Sequence, residues 1–192
     1  MARTRRTSTE VPIVQLYMEL EWIEPIVWRR VQVPRSITLG RLHRVIQAAM
    51  GWTDSHLHEF IIGGAHFGVP DPENDYLPYS IYPEGRVKLD TALMGRRHFD
   101  YLYDFGDNWE HKLRIENTLT SAPLAHPVCV DGANACPPED VGGSPGYEDF
   151  LRIVQDPHDP EREAMLTWCG GTFDPTAFDI EQANWRLKRI KM

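Results

Sequence analysis

Two short stretches of this chain gather the residue types that could do chemistry. The first is YLYDFGDNWEHKLRIE, residues 101–116, which places Asp104, Asp107, Asn108 and Glu110 around a turn. The second is PPEDVGG, residues 137–143, where a stiff di-proline and two permissive glycines frame Glu139 and Asp140. These six residues form one candidate binding surface if the two loops meet in space. Two-metal phosphodiester hydrolysis needs carboxylates converging on ions about 3.5–4 Å apart. One function class is therefore a metal-dependent phosphodiesterase or nuclease. A plainer role is open to the same residues. Glu139 and Asp140 can cap a helix starting near Pro145, and a charged hairpin face can simply be solvated.

Further candidate metal ligands are His56 and His58 in HLHEF, and Cys129 and Cys136. On a strand, His56 and His58 would share a face about 7 Å apart, but with Phe60 and Ile62 beside them. HLHEF lacks the one-turn histidine spacing of a metalloprotease helix. The two cysteines are spaced too widely for a zinc knuckle, whose pairs sit about two to four residues apart. There is no phosphate-binding glycine loop and no G-x-S-x-G elbow. A complete catalytic set is not visible. The leading reading is a non-catalytic binding or interaction module, with the metal-dependent phosphodiesterase as the alternative. No cofactor is predicted; a divalent ion is the one these carboxylates and histidines would admit.

The elements that must position these residues follow from hydrophobic period. Leu16, Met18, Leu20 and Trp22 alternate with polar neighbours, as in a half-buried strand. IVWRRVQVP repeats the pattern with Val27, Val31 and Val33. ITLGRLHRVIQAAMGW changes to helical spacing through Leu39, Leu42, Val45, Ile46, Ala49 and Met50, with Ser36 or Thr38 as cap and Gly51 as terminator. HLHEFIIGG returns to strand spacing. Residues 63–86 and 117–146 read as loops, with one short strand near His66 and Phe67. Helices gather at the end, starting near Pro145, Asp159 and Asp179. No regular β-α-β alternation appears, so the expected class is α+β: a twisted antiparallel, half-barrel-like sheet with helices packed on one face. Residues 1–12 read as a flexible arm and 13–192 as one domain. The six tryptophans fall in apolar-periodic segments, and core packing is the default for most of them.

Register of the 101–116 hairpin is expected to bring Tyr101, Tyr103 and Phe105 onto the face of Trp109, His111, Leu113 and Ile115. Pairing Phe105 with Trp109 leaves a three-residue loop ending in Asn108, a residue tolerant of the left-handed conformation. Asp104 would then face Glu110 on the outer surface, a like-charge pair costing about 0.2–1 kcal/mol. His111 falls on the core side.

Across its 192 residues the chain carries 28 acidic against 20 basic side chains, a formal charge of -8. A phosphate backbone is repelled on average, so a protein or cationic ligand is favoured over nucleic acid. Three cysteines do not make a disulfide scaffold. No apolar leader core or membrane span is present, which points to a cytoplasmic protein with no membrane partner. Nothing in the sequence sets the oligomeric state.

In order, PIVWRRVQVP, LGRLHRVIQAAMGWTDSHLHEF, YLYDFGDNWEHKLRIE, CVDGANACPPEDVGGSPGYEDFL and FDPTAFDIEQAN resemble the plasmid pRiA4b Orf-3-like family across residues 13–187. The resemblance implies a prokaryotic protein, often associated with plasmids or insertion elements, and an α+β half-barrel fold. It carries no catalytic residues to transfer. Some members bear a resolvase-type passenger label, which these residues do not support chemically. Ser8 lies in the arm, and Tyr147 sits beside Glu148 and Asp149, which would repel a phosphodiester.

Overall fold

The computed structural model describes residues 10–70 and 79–192. Eight strands make one open sheet: β1 (Val11–Leu20), β2 (Trp28–Pro34), β3 (His58–Ile62), β4 (Ala65–Gly68), β5 (Ile81–Pro83), β6 (His98–Tyr103), β7 (Trp109–Ser121) and β8 (Val128–Ala133). Five helices accompany them: α1 (Leu39–Met50), α2 (Leu89–Leu93), α3 (Gly143–Gln155), α4 (Arg162–Trp168) and α5 (Ile180–Leu187). Strand order is β5-β4-β3-β6-β7-β1-β2-β8. Every pairing is antiparallel except β4 with β5. This is the expected α+β class, with a single parallel pair making the sheet mixed.

Alternation along β1 puts Leu16, Met18 and Leu20 inside, and β2 adds Val31 and Val33. The apolar stripe of α1 packs into the same core, joined by Tyr147 and Phe150 of α3 and Ala183 and Leu187 of α5. Thr38 caps α1 by accepting from the Arg41 amide, and Gly51 ends it at φ 108°. The Asp179 carboxylate accepts from the amides of Glu181 and Gln182 to start α5. Arg29 lies on the inner face of β2, 2% exposed. It donates to the carbonyls of Trp28, Ala49, Ala133 and Asn134 and lies over the Phe178 ring. That one guanidinium ties the end of α1 to the end of β8.

Several expectations need correction. β7 continues to Ser121 and β8 follows, inside the span read as loop; β5 and α2 are likewise new. β1 begins at Val11, so the arm read as 1–12 loses its last two residues to the sheet, while residues 1–9 lie outside the described residues. Trp22, Trp168 and Trp185 are exposed rather than in the core.

The hairpin register also differs. Tyr103, not Phe105, pairs with Trp109, and Tyr101 pairs with His111. The connection is therefore residues 104–108, with Asp104 and Asn108 both left-handed at φ 58° and 57°. Glu110 faces Leu102 rather than Asp104. The offset is two residues, which leaves every side chain on its expected face. Only Phe105 and Asp104 change character: Phe105 is exposed and Asp104 is buried.

Candidate functional site

Four segments converge where the inner face of the sheet meets the start of α3. After Gly51 closes α1, the chain descends through residues 52–57 toward β3. Trp52 donates its indole N–H to the Pro137 carbonyl at 3.0 Å, and the Thr53 amide donates to Glu139 Oε1 at 2.7 Å. The Tyr103 hydroxyl, at the end of β6, accepts from the Ser55 amide and donates to Glu139 Oε2 at 3.1 Å. Burial, together with the neighbouring Glu139 carboxylate, pushes that phenol well above its ordinary range. From the hairpin tip, Asp107 Oδ2 accepts the Gly142 amide at 3.1 Å. Gly143, at φ 68°, lies so close that a Cβ there would strike the Asp107 carbonyl. The two loops singled out by sequence therefore meet.

At their junction stands His56. Its Nδ1 lies 3.6 Å from Asp104 Oδ2, and its Nε2 lies 3.2 Å from Asp140 Oδ1 and 3.5 Å from Glu139 Oε2. That Nε2 is shielded from water, yet no neighbour meets it with hydrogen-bond geometry. One donor atom each from His56, Asp104 and Asp140 lies within 4.8 Å of the others. Among the described residues no other set of three or more His, Cys, Asp or Glu side chains has such spacing. Mixed imidazole and carboxylate donors suit a divalent ion such as Zn²⁺ or Mn²⁺. The left-handed backbone at Asp104 turns its carboxylate inward, and the Gly106 amide fixes Oδ1 at 2.9 Å.

The other sequence candidates separate from this cluster. Asn108 donates to Glu110 Oε1, and Glu110 Oε2 accepts the Trp22 indole N–H at 3.1 Å. Both flank the tip without reaching His56. His58 does not share His56's surroundings, because His56 precedes β3 rather than lying on it. His58 instead stacks on His43, with ring centroids 3.4 Å apart, and meets Glu84 at 3.0 Å. His43 in turn bridges Tyr101 and Asp54, and burial foremost lowers its basicity. Cys129 is buried and Cys136 half-buried; both are free thiols, and burial pushes the Cys136 thiol up to about 12. Thr53 and Tyr103, which hold Glu139, were not among the candidates, and only proximity in the folded chain identifies them.

A family model described as plasmid pRiA4b ORF-3-like protein matches residues 12–182. The chain belongs to that family. An uncharacterized protein, y4hQ of Sinorhizobium fredii (strain NBRC 101917 / NGR234), is 44% identical over 175 residues, covering 90% of this chain and 89% of its own. The crystal structure of MM3350, a protein of unknown function from Methanosarcina mazei Go1, is similar at a TM-score of 0.80 and 35% identity. That match covers 90% of this chain and 98% of the archaeal one. Neither relative's name assigns an activity to the plasmid ORF-3-like fold. No helix among its described residues here is long and apolar enough to cross a membrane.

Proposed function

We propose that this protein is a binding module that takes a divalent cation between the 104–108 tip and the 137–142 loop. The observation that carries the reading is the shielded His56 Nε2, which faces two carboxylates without a hydrogen bond. An ion coordinated there would give that nitrogen a partner and offset the charge of Asp104, Glu139 and Asp140. A metal-dependent phosphodiesterase is less well supported. Asp107 and Glu139 already spend oxygens on Gly142, Thr53 and Tyr103, which leaves donors for one ion rather than the pair such chemistry uses. Free thiols support a reducing, cytoplasmic setting, and the net charge of -8 supports cationic or protein partners over nucleic acid. An accessory role in plasmids is supported by the family's description alone.

Titration with Mn²⁺ followed by electron paramagnetic resonance, and with Zn²⁺ by calorimetry, tests the reading. One ion per chain is expected. Asp140→Asn, at a side chain 72% exposed, should weaken it by about tenfold, about 1.4 kcal/mol, without unfolding the protein. His56→Ala should abolish binding. Equal ion uptake by wild type and both variants, or none by wild type, refutes the proposal. Turnover of a phosphodiester by the Mn²⁺-loaded protein, lost in His56→Ala, would favour the hydrolytic alternative.

A further inference from the structure

A second feature uses residues other than those around His56. The turn joining β1 to β2 stands over α3 and encloses an open groove of about 1030 Å³. That is at the upper end of small-molecule sites, which span about 300–1,000 Å³. Its apolar lining includes Trp22, Ile26, Leu151 and the ring of Tyr147. Trp22 is 73% exposed at φ 64°, with its indole N–H anchored on Glu110. A large aromatic held in a left-handed conformation and left open to water gains nothing for the core. It does present a ring face on which a cation can sit.

Around this lining the charge is one-sided. Glu19, Glu21, Glu24 and Glu148 border the groove, against Arg152 alone. Arg152 is already committed to Asp149 and Asp159. Glu21 has Lys112 3.6 Å away, and Glu19 accepts from the Tyr17 hydroxyl. Glu24 and Glu148 are exposed, and neither has an ion-pair partner among the described residues. Tyr147, which also lines the groove, is 1% exposed, and its hydroxyl is buried with no hydrogen-bond partner among the described residues.

We propose that this groove docks an extended, basic polypeptide segment whose arginine or lysine side chains meet Glu24 and Glu148 while its apolar side chains lie on Trp22, Ile26 and Leu151. The carboxylate rim repels nucleic acid and anionic membrane surfaces, and an open groove of this volume, lined by both apolar and acidic side chains, suits a chain better than a compact metabolite.

Fluorescence anisotropy with a labelled peptide of alternating arginine and leucine, and with its glutamate–leucine counterpart, tests this on the full chain. The basic peptide should bind, more weakly as salt rises, and the acidic one should not. Glu24→Lys combined with Glu148→Lys should weaken binding at least about tenfold. Trp22→Ala should weaken it severalfold, with circular dichroism unchanged. Mn²⁺ uptake at His56 should persist in both variants, so failure here is distinguishable from failure of the cation site. Equal binding of both peptides, or no effect of charge reversal, overturns the proposal. So does sedimentation showing that wild type self-associates through this groove and excludes the peptide.

Discussion

Lowering the pH should strip stability from this fold through one buried imidazole. His111 is 1% exposed on the inner face of β7, packed edge-on against Trp52 and Tyr101. Its Nδ1 meets the Trp109 carbonyl at 3.0 Å, and its Nε2 is buried without a partner. Burial, opposed in part by the backbone carbonyls, drives its pKa down to about 4. The unfolded chain protonates the same ring near about pH 6.5, and the folded state does not. Stability from this site is therefore complete above about pH 6.5 and is lost as the pH falls toward 4. The full loss is on the order of 3 kcal/mol, about 2 kcal/mol of it by about pH 5. His43, also lowered by burial, titrates with the same sign, so a variant must isolate His111. His111→Phe fills the ring's place and forfeits one hydrogen bond, a pH-independent cost of about 1 kcal/mol. Urea unfolding of both proteins between about pH 7.5 and 5 should show wild type losing about 2 kcal/mol more than the variant. Parallel losses would refute the assignment of acid sensitivity to His111.

Three further perturbations probe the frame around the sites. Gly143→Ala forces a Cβ onto the Asp107 carbonyl at a left-handed φ, and should cost about 1–3 kcal/mol in urea unfolding while weakening cation uptake; an unchanged midpoint would contradict the contact between the two loops. Arg29→Met strips the donors from four carbonyls and should cost at least about 3 kcal/mol, with Arg29→Lys intermediate because an ammonium lacks the planar fork; a change within about 0.5 kcal/mol would remove its role as a tie. Glu116 is hydrogen-bonded to Arg30 at 2.6 Å, and that guanidinium foremost holds its carboxyl down at about 2. Its contribution is present above about pH 4.5 and lost as the pH falls toward 2, so Glu116→Gln should lower stability at neutral pH, flatten the acid limb in that window, and differ least from wild type near about pH 2.

What could be read from sequence was whatever repeats. The alternations in β1, β2 and β7 and the stripe of α1 place the buried residues of those four elements, because each recurs several times at a fixed period. The paired registers were another matter. Moving the hairpin by two residues preserves every face, so alternation alone cannot separate Phe105–Trp109 from Tyr103–Trp109. What decides between them is the turn, and residues 104–108 spend two left-handed positions on non-glycine residues, a cost that no pattern announces. β8 escaped for a similar reason. Its sequence VCVDGA keeps alternation only briefly, and its pairing with β2 slips at Arg30/Val31.

The candidate site was half legible for a connected reason. Asp104, Asp107, Glu139 and Asp140 were singled out by composition, but their meeting depends on contacts such as Thr53 to Glu139, between residues 86 apart in sequence. Alternation carried one residue past the end of β6 would put Asp104 on the outer face. At φ 58° the backbone leaves the ladder there, and the side chain is free to turn inward to His56. His56 itself lies two residues before β3, Asn108 one residue before β7, and Asp140 three residues before α3. A polar side chain inside a strand must obey the two-residue period and face either core or solvent. One placed just beyond an element's end can take a third direction, along the edge where several elements stop together. Here the carboxylates of separate segments converge in such a place, so the cluster sits where the periodic signal ends.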